Sequence, residues 1–126
     1  MGRMAAERAE GVVRAVVVSD GRLLLVPGKG GWGLPSGTPQ PAETPQATAA
    51  RVVYELTGYL VDGTEALDPG NADGGTAILC RLLTDSPSDG GRLAPDRLRW
   101  ASAEETADTP LPAPVRHYLE GHIPPV

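Results

Sequence analysis

Two aliphatic runs, VVRAVVVSD (12–20) and RLLLV (22–26), meet across Asp20-Gly21. Short β-branched and aliphatic runs of this kind predict strands. Asp-Gly between them predicts a tight hairpin, because both residues of such a turn take positive φ. A Gly/Pro-rich stretch follows (27–43), within which Trp32-Gly33-Leu34 suggests a further short strand. The period then changes to that of a helix. Pro45, Ala49, Val52, Val53 and Leu56 recur at i, i+4, i+7, i+8 and i+11, an apolar stripe on one helical face. Thr44 suits the N-cap, Pro45 the first turn and Gly58 the position after the last turn, so the helix is expected over about 45–57. Strands are expected at 59–66, in GGTAILCRLLT (74–84) and in RLRWAS (97–102). Residues 103–108 suggest a helical turn and 111–121 a short terminal helix, in which Arg116 and His117 would face the negative end. Mixed strands and helices without regular alternation predict an α+β fold.

The chain of 126 residues is expected to form one domain over 11–126, with 1–10 as a polar tail. The core must be built from Val, Leu, Ala and a few Tyr and Trp, since Phe is absent. A net charge of −5 argues against nucleic-acid backbones and anionic membranes as partners. No stretch has the length of a membrane span, and the first residues lack an apolar signal core, so a cytoplasmic location is expected. The single cysteine, Cys80, excludes an internal disulfide and reads as a buried thiol.

Several motifs fail. GKGGWG (28–33) matches a dinucleotide fingerprint by spelling, yet Leu34-Pro35-Ser36-Gly37 follows where a helix must open. Lys29 is followed by Gly30, which excludes a Walker loop. His117 and His122 have no partners at zinc spacing and read as surface residues. Glu104-Glu105 reads as a solvated turn.

One motif nearly holds. From Gly37, five residues lead to Glu43 and seven more to Arg51, followed by Val53, Glu55 and Gly58. This order resembles the box of the Nudix superfamily: glycine, five residues, glutamate, seven residues, arginine-glutamate, aliphatic, any residue, glutamate-glutamate, any residue, glycine, aliphatic. The lead-in GGWGLPSG is similar to the family's Trp-x-Leu-Pro-Gly-Gly, and the flanking hairpin and the RLRWAS segment extend the likeness over about 12–121. The resemblance implies a Nudix-like α/β/α sandwich around a mixed sheet. It also implies a hydrolase of a nucleoside diphosphate linked to another group, acting on a small phosphorylated ligand with Mg²⁺ or Mn²⁺. Carried onto this chain, it makes Glu55, Arg51 and Glu43 the candidate catalytic residues and Glu55 the candidate metal ligand. Asp96 and Asp89 are auxiliary candidates before Trp100, with Asp73 behind them. Gly37 and Trp32 are the candidate substrate contacts. Glu43 and Arg51 are expected to act mainly as architecture.

Two positions depart. Where the family carries glutamates, this chain has Val52 and Leu56, four residues apart and therefore stacked on one helical face. Mg²⁺ asks for several oxygen donors, and a single carboxylate is a poor site. Burying Val or Leu is worth about 1.5–3 kcal/mol each, so the exchange trades a cation cage for packing. Three readings follow: a hydrolase of weakened activity, a binding module that keeps the cleft, or an enzyme of different chemistry in the same cleft.

Overall fold

The computed structural model describes residues 12–28, 31–67, 76–84, 91–93, 95–107, 109, 111 and 113–122. The expected tail (1–10), Asp73 and Asp89 lie outside the described residues.

Strands β1 (Val13–Ser19) and β2 (Arg22–Gly28) form the expected hairpin, with Ser19 opposite Arg22. The turn residues Asp20 and Gly21 have φ of 54° and 74°, as a two-residue Asp-Gly loop requires. Strands β3 (Gly31–Gly33) and β4 (Ser36–Gly37) follow, then helix α1 (Pro45–Thr57), β5 (Val61–Ala66), β6 (Thr76–Leu82), a 3₁₀ turn at Pro95–Arg97, β7 (Arg99–Ala101), α2 (Ala103–Ala107) and α3 (Ala113–His122). The sheet runs β3-β2-β1-β6-β5, with β4 added on β1 and β7 on β2. Among the described residues only β1 and β6 pair in parallel, so the sheet is mixed.

Hairpin pairing between β1 and β2 is confined to the turn end. Further along, β1 takes β4 as its neighbour, through Val13–Gly37 and Arg14–Ser36, while β2 turns to β3 and β7. This divergence carries the Gly/Pro-rich loop into the sheet and delivers Gly37 to the start of α1. β4, two residues long, has no pattern by which its pairing could be anticipated.

Alternation along the strands builds two cores. Val13, Ala15 and Val17 of β1, Leu24 of β2 and Ile78 and Cys80 of β6 pack with Ala49 and Val53 of α1. Val16 of β1, Leu23 and Leu25 of β2 and Ala77 of β6 pack with Val115 and Leu119 of α3 on the other face. A central strand covered on both faces must be apolar at successive positions, which explains the unbroken VVV and LLLV runs. Cys80 is buried as expected, and desolvation pushes its thiol up to about 12.

Three expectations are corrected. The buried face of α1 comprises Thr48, Ala49, Val52, Val53 and Thr57, whereas Pro45 is exposed and Leu56 half-buried. The two threonines are admitted because their hydroxyls donate back to the carbonyls of Thr44 and Val53. The terminal helix runs on to His122, so Arg116 lies mid-helix and donates instead to the carbonyls of Thr106 and Thr109; exposed His117 lies mid-helix too. Glu105 belongs to a capping box: its carboxylate accepts from the Ser102 amide and its own amide donates to the Ser102 hydroxyl, opening α2.

Candidate functional site

The N-terminus of α1 is fixed by Thr44, whose hydroxyl accepts from the Ala47 amide, and the C-terminus by Gly58 at φ 83°, whose amide donates to the Tyr54 carbonyl. The next two carbonyls of the last turn, Glu55 and Leu56, accept from the amides of Arg92 and Leu93. Residues 91–93 therefore strap the end of the helix. Their close approach is possible because Gly91 has no side chain; a β-carbon there would stand 2.5 Å from the Thr57 carbonyl carbon.

Glu43 is the hub of the loop before the helix. Its Oε1 accepts from the Gln40 amide at 2.9 Å, the Thr48 hydroxyl at 2.8 Å and Arg51 Nη2 at 3.0 Å, and its Oε2 accepts from Arg51 Nε at 2.9 Å. The paired Arg51 guanidinium, then the Gln40 amide, hold this carboxyl at about 2, far below the ordinary 4.5. Arg51 in turn is raised above its usual value, chiefly by Glu43. Its remaining donors reach the Thr38 carbonyl at 2.9 Å and Glu55 Oε1 at 3.2 Å. One guanidinium thus ties together the loop after β4, the residue that precedes the helix cap, and the last turn of the helix. This is the architectural part expected of Glu43 and Arg51.

Gly37, Glu43, Arg51 and Glu55 are brought together. The others are not. Trp32 packs against the second core, on the face away from α1, with the Arg99 guanidinium 4.9 Å from its ring centroid. Arg99 is held there by Glu105 at 3.0 Å. Asp96 is exposed on the 3₁₀ turn. Thr48 was missed by the periodicity, which treats threonine as polar; its spacing of five from Glu43 was the available signal.

The described residues do not fit a divalent cation. Among the described residues no group of three or more His, Cys, Asp or Glu stands together. Val52 is buried, Leu56 is half-buried, and the Glu55 carboxylate, 46% exposed, faces Arg51. A hard cation needs several converging oxygens, and hydrocarbon supplies none. Two surface cavities, of about 410 Å³ (around Tyr59, Arg22 and Trp100) and about 360 Å³ (around Tyr118, Thr64 and Leu79), are lined by none of the four grouped residues. No helix among the described residues is long and apolar enough to cross a membrane.

A mixed sheet between helices, entered by a glycine loop locked to its helix through a Glu-Arg pair, defines the class. The NUDIX domain profile matches residues 9–120, and the chain belongs to that family. No curated protein matches the chain. Among solved structures, a NUDIX hydrolase from Nitrosomonas europaea is 20% identical with a TM-score of 0.65, 93% of each chain being covered. An ADP-ribose pyrophosphatase from Streptococcus suis is 24% identical with a TM-score of 0.58, over 87% of this chain and 84% of that one. A UDP-X diphosphatase is 21% identical with a TM-score of 0.58, over 84% of this chain and 55% of that one. These likenesses establish the shared fold.

Proposed function

We propose that the protein binds a small phosphorylated ligand of the nucleoside-diphosphate type, and that metal-dependent hydrolysis of it is weak because two box carboxylates are Val52 and Leu56. The observation that carries this reading is the condition of Glu55. It is the acid that remains on the helix, and it is ion-paired to Arg51 with hydrocarbon at the two positions where partners for a cation would stand. Ligand class is supported by membership in the family and by structural neighbours named as an ADP-ribose pyrophosphatase and a UDP-X diphosphatase.

The chain's own residues supply a rigid frame. Arg51 fixes the Thr38 carbonyl and Glu43, so the Gly37–Thr38 backbone is held in place before any ligand arrives. Preorganisation of this kind lowers the ordering cost of binding. Mg²⁺ or Mn²⁺, in relatives equipped for it, would supply charge neutralisation at the phosphates; no step here is assigned to it. A binding module with no hydrolysis is the competing reading, favoured by the ion pair that engages Glu55 with Arg51.

Thermal melting and isothermal titration with ADP-ribose and UDP-glucose, in EDTA and then in Mn²⁺, test the reading. The expected result is binding in EDTA, with ³¹P NMR showing little turnover in either condition. Rapid cleavage that requires Mn²⁺ would overturn the weak-hydrolysis half, and absence of any binding would overturn the ligand half.

A further inference from the structure

Four arginines among the described residues are half-buried: Arg14, Arg51, Arg99 and Arg116. Three are spent on named partners. Arg51 holds Glu43 and Glu55, Arg99 lies on Trp32 and Glu105, and Arg116 donates to the carbonyls of Thr106 and Thr109. Arg14 has no such partner among the described residues. Its guanidinium presents a planar fork of donors that matches a phosphate.

Its position is equally specific. Arg14 is opposite Ser36 on β4 and beside Ala77 on β6, one residue pair from the Val13–Gly37 match. It therefore stands where the glycine loop joins the sheet. Val13 and Ala15 face the α1 core, so alternation turns Arg14 to the opposite face, shared with Val16, Trp32 and Leu34. In a chain of net charge −5, an anion is drawn to such a point by local contact rather than by the overall field.

We infer that Arg14 is the residue that reads a phosphate of the bound ligand, a specificity-determining contact rather than a structural one. The inference rests on the proposed function above. Titration of the full chain with ADP-ribose and with adenosine, in EDTA, separates the two. Arg14→Gln is expected to weaken ADP-ribose by about tenfold or more, the worth of a charged hydrogen bond. Adenosine affinity should stay within about twofold, and Arg14→Lys should recover part of the loss. Melting temperature reads out folding independently. If wild-type protein binds ADP-ribose and Arg14→Gln binds it equally well, this inference fails while the proposed function stands. If wild-type protein binds neither ADP-ribose nor UDP-glucose, both fail. Should Arg14→Gln not fold, Arg14→Lys carries the test, since loss of the fork must still weaken ADP-ribose measurably; unchanged affinity overturns the inference.

Discussion

The Cγ2 methyl of Val52 occupies the place where a side chain at residue 37 would begin: a β-carbon built on Gly37 would stand 2.6 Å from it. Residue 37 has no positive φ to demand glycine. Its need for glycine is steric, imposed by Val52. Gly37→Ala should therefore destabilise the fold by about 1–3 kcal/mol through overpacking. Val52→Ala, which removes the obstructing methyl at the cost of a small cavity, should recover part of that loss in the double variant. Urea denaturation of the four proteins gives the cycle; additive losses would show that the two residues do not press on each other.

Glu43 predicts a specific acid sensitivity. Its folded-state pKa of about 2 lies below the ordinary 4.5, so its contribution to stability is complete above about pH 4.5 and is lost as pH falls from there towards 2. With the carboxylate only 14% exposed, that contribution is about 2–3 kcal/mol at neutral pH. Glu43→Gln should lose this amount at pH 7 and flatten the stability profile between pH 4.5 and 2. Arg51→Gln should be at least as damaging, because it leaves Glu43 without its largest partner. Stability measured against pH, variant beside wild type, checks the sign and the window; a Glu43→Gln profile parallel to the wild type would remove Glu43 from the account.

How far the sequence could be read follows from what each segment asks of its residues. The hairpin and α1 were legible because their signals are local: Asp20-Gly21 must turn, and Thr44, Pro45 and Gly58 bracket one helix. The Glu43-Arg51 link was legible only through family resemblance, since nothing local says that residues eight apart will meet across a helix start. Other features were hidden because they depend on tertiary partners. Pairing of β4 with β1 rests on two residues. Burial of Thr48 depends on the Glu43 carboxylate being there to accept its hydrogen bond. Trp32, expected near the ligand, takes its place from β3 pairing with β2, which turns it toward Arg99 and the second core.

Ala42 sits at φ 66°, a left-handed conformation that costs an L-residue about 1–2 kcal/mol. The strain has an evident compensation: it closes the turn in which the Glu43 amide donates to the Gln40 carbonyl and the Glu43 carboxylate accepts from the Gln40 amide. Glycine adopts this conformation freely but loses more entropy on folding, by about 0.5–1 kcal/mol. Ala42→Gly should therefore stabilise the protein by about 0.5–1 kcal/mol, visible as a higher melting temperature. Destabilisation by that amount would mean that the turn does not hold this φ in solution.

The strongest test of the proposed hydrocarbon-for-carboxylate exchange is to reverse it. In Val52→Glu/Leu56→Glu, three acids with Glu55 would share the C-terminal half of α1, since positions 52 and 56 lie one turn apart. Their mutual repulsion favours a cation, and each is a hard oxygen donor of the kind Mn²⁺ accepts. Competition works against it, because Arg51 already holds Glu55, and Val52 is buried against Gly37, so the variant should lose about 1–3 kcal/mol of stability in EDTA. Added Mn²⁺ should restore part of this and raise the melting temperature of the variant but not of the wild type, since a ligand that binds only the folded state stabilises it. Titration of Mn²⁺ followed by electron paramagnetic resonance gives the affinities directly. A folded double variant whose Mn²⁺ affinity equals that of the wild type would show that the backbone around Gly37 and residues 91–93 has moved away from cation-binding geometry. Restoring side chains would then not restore the site.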